Sequence, residues 1–156
     1  MKNLRRILLT ITMLFVVVLT AACSKKNEYA TKVFYLEKNG LKTTITYTYD
    51  EKEDKIIKQE TKNEGIYSEF RPGASKEDVQ KLLDPIAAKY QGITGLKESI
   101  EYQDDKFIET LEVDYENIDF EKAKTVFGPS FQDPKKVRVS MKKTEDSLTK
   151  AGYTVK

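Results

Sequence analysis

The dipeptide Asn39-Gly40 stands between two runs that read as strands, and no other feature constrains the fold as much. A two-residue hairpin turn that matches strand twist needs positive φ at both central positions, which Asn and Gly tolerate. Ahead of the turn, Thr31 to Leu36 mixes β-branched and aromatic residues. Behind it, Leu41, Thr43, Ile45, Tyr47 and Tyr49 fall on one face, with Lys42, Thr44, Thr46 and Thr48 on the other. That period of two predicts a strand with one buried face. A lone hairpin is marginal in water, so the rest of the chain must supply more strands and a cover.

The following residues do so. Asp50 to Asp54 is a charged turn, and Lys55 to Lys62 reads as a third strand around Ile56 and Ile57. After a break at Gly65, Ile66 to Phe70 reads as a short fourth strand. Pro72-Gly73 marks a loop, and Ser75 with Glu77 and Asp78 has the composition of a helix start: a hydroxyl cap, then acids at the positive end of the dipole. Val79, Leu82, Leu83, Ile86, Ala87 and Tyr90 make one apolar stripe at helical spacing, predicting about four turns ending near Gly92. Pro85 sits inside that helix and predicts a kink or break.

Leu96 to Tyr102 and Lys106 to Tyr115 read as two strands around Asp104-Asp105, with Ile100, Tyr102, Phe107, Leu111 and Val113 inward. Asp119 is placed to cap a short helix through Phe127, ended by Gly128-Pro129. Val137 to Val139 is a short strand, Thr144 to Ala151 a last helix and Tyr153 to Val155 a closing strand. Residues 128–136 show no clear pattern. Strands, helix, strands and helix in that order predict an α+β fold: an antiparallel sheet of about five to six strands with one main amphipathic helix and one or two short ones.

The first 22 residues are of another kind. Lys2, Arg5 and Arg6 form a basic head, Ile7 to Leu19 is apolar apart from Thr10 and Thr12, and Thr20-Ala21-Ala22 brings small residues up to Cys23. This is the make-up of a secretory signal, and its apolar run is shorter than the roughly 20 residues a spanning helix needs. The domain plan is residues 1–22 as signal, 23–30 as tether and 31–156 as one domain. Three of the 27 basic residues precede Cys23, leaving 24 against 25 acids, so the basic balance belongs partly to the signal. That balance gives no support to a nucleic-acid partner, which calls for a basic stripe. Lys25 and Lys26 read as solvating the tether.

Leu19-Thr20-Ala21-Ala22-Cys23 resembles the bacterial lipobox. The resemblance implies cleavage before Cys23, a diacylglycerol on its thiol by thioether formation, and a freed amine open to a further acyl chain. Thr20 departs from the usual Leu, with Leu19 one position early. Two acyl chains hold where one is marginal, at about 0.8 kcal/mol per buried methylene. The implied partner is membrane lipid through Cys23, at the extracytoplasmic face of the cell membrane. Composition favours a Gram-positive source; in a Gram-negative cell Ser24 would point to the outer membrane.

Chemistry is sparse. There is no His, and Cys23 is the only Cys. Ser-His and Cys-His pairs and His-ligated metal sites are excluded, and no Gly-rich phosphate loop occurs among seven scattered glycines. No catalytic residue, cofactor or metal site is expected. Glu101, Asp104, Asp105, Asp114, Glu116 and Asp119 match no calcium loop and read as turn residues. Tyr47, Tyr49, Tyr102 and Tyr115 lie on strands, where sheet propensity and core edge explain them; the competing reading is a tyrosine face for a peptide or glycan. Lys142, Lys143 and Lys150 read as solvated helix positions.

The segments Ile45-Thr46-Tyr47-Thr48-Tyr49, Ser75-Lys76-Glu77-Asp78, Leu83 to Tyr90 with its internal Pro, Ile93-Thr94-Gly95, Val113-Asp114, Ile118-Asp119-Phe120 and Ala151-Gly152-Tyr153 together resemble the YehR-like family of small bacterial lipoproteins. The resemblance runs from about Tyr29 to Lys156 and is weaker at residues 128–136. It implies an α+β lipoprotein domain and brings no reaction, ligand or catalytic residue. Two functional expectations follow. One is a non-enzymatic binding or interaction module recognising an envelope protein or cell-wall component, with an exposed aromatic patch or sheet edge. The other is a tethered carrier of a small lipid or peptide, with an enclosed apolar pocket of roughly 300–1,000 Å³. A hydrolytic enzyme is the least supported.

Overall fold

The structure is a computed structural model that describes residues 17–18 and 29–156. Val17–Val18 (β1) pairs with Arg138–Val139 (β7) as a two-stranded ribbon. The body of the domain is a six-stranded antiparallel sheet. In chain order its strands are Tyr29–Lys38 (β2), Leu41–Asp50 (β3), Lys55–Ile66 (β4), Leu96–Tyr102 (β5), Lys106–Asp114 (β6) and Thr154–Val155 (β8). They lie side by side as β5-β6-β4-β3-β2-β8. Four helices cover one face: Tyr67–Phe70 (α1), Lys76–Ala87 (α2), Phe120–Phe127 (α3) and Met141–Lys150 (α4). The α+β expectation holds, with six strands.

The opening hairpin forms as its sequence dictates. Asn39 and Gly40 both take positive φ, at 53° and 71°. Leu41, Thr43, Ile45 and Tyr47 are buried and Tyr49 half-buried, in strict alternation with the other face. Between Thr48 and Tyr49 the register with β4 shifts. The extra residue on β4 is a bulge, which lets the neighbours Ile56 and Ile57 both be buried.

Three expectations need correction. Gly65 does not end the third strand. β4 runs through it to Ile66, because the missing side chain makes room for the Phe107 ring on β6: a Cβ at Gly65 would lie 2.4 Å from Phe107 Cε1. Nor do Ile66 to Phe70 make a separate strand. Ile66 ends β4, and Tyr67–Phe70 is the single helical turn α1, which puts Tyr67 and Phe70 onto Phe107. Nor does Pro85 break its helix. α2 continues to Ala87, and i→i+3 bonds from Lys89 and Tyr90 carry the chain down to the core. The proline has no N–H to donate to the Lys81 carbonyl, and the helix ends two residues beyond it, shorter than its apolar stripe. The last helix begins at Met141, three residues ahead of the expected Thr144, since Ser140 serves as its cap.

Capping agrees with the sequence elsewhere. Ser75 and Asp78 form a reciprocal capping box, and Asp119 accepts from Lys122 N. Residues 128–136 hold no helix or strand, yet Phe131 is buried there, stacked on Phe120 and tilted against Phe127.

Candidate functional site

The helices bury two separate apolar clusters on the covered face. Beneath α1 and α2 lie Leu41, Tyr67, Phe70, Val79, Leu83 and Phe107. Beneath α3 and α4 lie Phe34, Ile45, Leu111, Val113, Met141 and Leu148, among others. Strand register shows what separates them. The row Leu41–Gly65–Phe107 belongs to the first cluster and the row Ile45–Thr61–Leu111 to the second. The row between them is Thr43–Asn63–Glu109, with Ile100 opposite Glu109 on β5. A polar stripe therefore crosses the sheet between two cores.

Its side chains are tied in sequence. Thr43 Oγ1 donates to Asn63 Oδ1 at 2.7 Å, and Asn63 Nδ2 donates to Glu109 Oε2 at 2.8 Å. Thr43 and Asn63 are 1% and 5% exposed, so these bonds satisfy groups that water does not reach. Two residues along β5 from Ile100 sits Glu98, opposite Leu111, which makes it the diagonal neighbour of Glu109. Diagonal pairs stand roughly 7–8 Å apart, within reach of long side chains. Glu98 is 7% exposed. Gln91, just past α2, donates Nε2 to Glu98 Oε2 and to its carbonyl oxygen, both at 3.1 Å. Glu98 Oε1 is buried with no hydrogen-bond partner.

Both carboxyls are harder to ionise than usual. Burial raises the Glu98 pKa to about 7, the Glu109 charge adds to the rise, Gln91 opposes it and Asp84 adds to it. Burial raises Glu109 too, against the pull of Asn63. Asp84 completes the rim: it accepts from Tyr102 Oη at 2.7 Å, and with burial that bond raises the Tyr102 pKa. No lysine or arginine pairs with Glu98, Glu109 or Asp84 among the described residues. The cluster is rich in acceptors and short of cations. It contains no cysteine and no imidazole.

Sequence reasoning did not single out Glu98 and Glu109, although the signal was there. Period two on β5 sets Glu98 with Leu96, Ile100 and Tyr102; on β6 it sets Glu109 with Phe107, Leu111 and Val113. A carboxylate on the apolar parity of a strand is the anomaly to look for.

The residues that were singled out lie elsewhere. Glu101, Asp104 and Asp105 sit at one end of the β5–β6 hairpin and Asp114, Glu116 and Asp119 at the other. Asp114 closes a turn onto Glu116 N and Asn117 N, and Asp119 caps α3. No group of three possible metal ligands gathers among the described residues. Tyr47 and Tyr115 are buried, and Tyr49 and Tyr102 are half-buried and packed against the two cores. Tyr115 donates to Gln59 Oε1 at 2.7 Å. Lys142 and Lys150 are exposed and Lys143 is half-buried on α4. On the open face of the sheet, a groove of about 240 Å³ is lined by Thr46, Thr48, Lys58, Glu60, Glu112 and Asp114. Most of its side chains are polar, and its volume is below the roughly 300–1,000 Å³ expected of a carrier pocket. Cys23 lies outside the described residues.

A six-stranded antiparallel sheet with helices on one face, two apolar clusters and an acidic stripe between them defines a small α+β domain. The chain belongs to the DUF1307 family, described as a protein of unknown function, whose pattern matches residues 30–154. It is 40% identical over 153 residues to the uncharacterized lipoprotein Lmo0207 of Listeria monocytogenes, across 98% of this chain and 97% of that one. It is 33% identical over 135 residues to the uncharacterized lipoprotein YehR of Escherichia coli K12, across 85% and 84% of the two chains. The NMR structure of E. coli YehR superposes with a TM-score of 0.67 at 29% identity, covering 84% of this chain and 93% of that one. The resemblance to YehR-like proteins noted in the sequence is thereby established.

Proposed function

We propose that this chain is a membrane-anchored, extracytoplasmic lipoprotein whose domain is a non-enzymatic binding or interaction module at the cell envelope. The anchoring half is supported by relatives named lipoproteins that align over nearly the whole chain, together with the lipobox-like segment ending at Cys23. The binding half is carried by one observation: an acid-and-amide stripe built across the sheet, with a buried carboxylate oxygen that no side chain serves. A protein does not gain stability from such a group, because a buried unpaired acid costs folding energy. The absence of His and the commitment of Cys23 to the anchor leave the stripe suited to holding a partner rather than to nucleophilic catalysis.

Fractionation tests the anchor. Wild-type protein should be recovered with membranes and released only by detergent, whereas Cys23→Ala should leave the membrane fraction once processed or accumulate as precursor. A processed Cys23→Ala protein that stays with membranes would overturn the lipid anchor. Crosslinking from native membranes with the domain still anchored tests the module. A specific envelope protein or cell-wall component should be captured; recovery of none counts against it.

A further inference from the structure

The stripe between the two cores specifies its occupant by what it offers. Glu98 and Glu109 each spend one oxygen on an amide: Oε2 of Glu98 takes Gln91 and Oε2 of Glu109 takes Asn63. Each therefore has its other oxygen left, and that of Glu98 is buried without a partner. The two remaining acceptors sit on diagonal positions of adjacent strands, with the exposed Asp84 at the rim beside Tyr102. Ile100 and Tyr102, both half-buried, lie on the same face of β5 as Glu98 and add apolar surface beside it.

We infer that this stripe is a receptor site for a protonated primary amine, its ammonium held between Glu98 Oε1 and Glu109 and its aliphatic stem lying against Ile100 and Tyr102. The inference rests on the binding-module reading and names that module's ligand class. An ammonium carries three donors and no acceptor, which complements single acceptors placed apart. A guanidinium fits less well, since its planar fork prefers both oxygens of one carboxylate and neither acid has both free. A hard metal ion fits less well still. Calcium seeks six to eight oxygens, no three carboxylates converge, and the amides of Asn63 and Gln91 turn N–H rather than C=O toward the acids. The charged and titratable groups around the bound cation are Glu98, Glu109, Asp84 and Tyr102, and none of them is positive.

The test uses the full lipidated chain in detergent micelles, titrated by calorimetry at pH 8. The probes are n-butylammonium chloride, the peptide acetyl-Gly-Lys-Gly-amide, the same peptide with its ε-amine acetylated, and calcium chloride. Binding of either amine, absent for the acetylated peptide and calcium, supports the site. Butylammonium alone identifies a free small amine as the source; the lysine peptide binding as well or instead identifies a side chain of a larger partner. Glu98→Gln and Glu109→Gln are near-isosteric, and circular dichroism and thermal unfolding verify their folds. Each should weaken binding by roughly tenfold or more, the loss of one charge-assisted bond. No binding of either amine, equal binding of the acetylated peptide, or unchanged affinity in both variants overturns the inference. So does calcium binding in place of the amines. Such a failure removes this ligand class and leaves the anchored module to be judged by fractionation and crosslinking.

Discussion

Asn63 on β4 and Glu109 on β6 stand directly opposite each other in register, and the Asn63 amide donates to the Glu109 carboxylate at 2.8 Å. Behind Asn63 the Thr43 hydroxyl fixes the amide's orientation. Three neighbouring strands thus commit their central inward position to one polar chain.

Asn63→Ala should lower stability by about 2–3 kcal/mol, because it strands both the Glu109 carboxylate and the Thr43 hydroxyl. Asn63→Leu combined with Glu109→Leu should recover much of that loss, since replacing both partners by apolar groups removes the unmet desolvation penalty. Urea unfolding of Asn63→Leu, Glu109→Leu and the double variant at pH 8, beside Asn63→Ala, measures it. Additive losses would show that the two side chains do not act together.

Glu98 gives stability a definite dependence on pH. Its folded pKa of about 7 lies above the ordinary value of 4.5. Between these values the folded chain keeps a proton that the unfolded chain has released, so this group's contribution falls as pH rises through the window. It levels off above about 7, and below about 4.5 both states hold the proton. The full effect is on the order of 2–3 kcal/mol. Glu98→Gln should therefore be more stable than wild type at pH 8 and close to it at pH 4.5. Acids with lowered values, such as Glu64 and Asp78, act in the opposite sense. The difference between the two proteins, measured by urea midpoints across pH, isolates Glu98.

Asp54 caps a helix far from it in sequence. With its own φ at +50°, it accepts from Lys142 N at 2.9 Å and from the Ser140 hydroxyl, at the N-terminus of α4. Asp54→Ala should cost about 1–2 kcal/mol, from the lost cap and the favourable charge at the dipole's positive end. Asp54→Asn should keep one acceptor, for Lys142 N, and lose the charge and the second acceptor that takes the Ser140 hydroxyl, for a smaller cost. Thermal unfolding separates the two; equal losses would show that the one retained acceptor contributes nothing.

Gly65 is required by a neighbour rather than by its own backbone. Gly65→Ala places a Cβ 2.4 Å from the Phe107 ring, which is fully buried between Tyr67 and Phe70 and has no free space to retreat into. A loss of about 1–3 kcal/mol is expected from the overpacking. Pairing it with Phe107→Leu should reduce the loss, as denaturant unfolding of the double variant would show.

Much of this fold was legible because its signals are local. Asn39-Gly40 fixes a turn, alternation from Leu41 fixes a face, and Ser75 and Asp119 mark helix starts through bonds only three residues long. The misreadings share a cause as well. Gly65 and Pro85 are breakers by local propensity, but a ring from another strand fills the space at one, and the helix runs two residues past the other before it ends. Residues 128–136 lack any period, and only packing shows Phe131 to be core.

The amino-acid sequence by itself determined the α+β class and the exclusion of imidazole chemistry, and it carries the leader-like pattern and lipobox-like segment that make Cys23 a lipidation candidate. These follow from residue types and short spacings. Tertiary structure alone decided that Glu98, Glu109, Asn63, Thr43 and Gln91 form one site. Their chain positions span 43 to 109, and only the antiparallel register of β3, β4, β6 and β5 brings them onto one stripe. The acidity of Glu98 was likewise out of reach of its neighbours in sequence, because burial between two cores sets it.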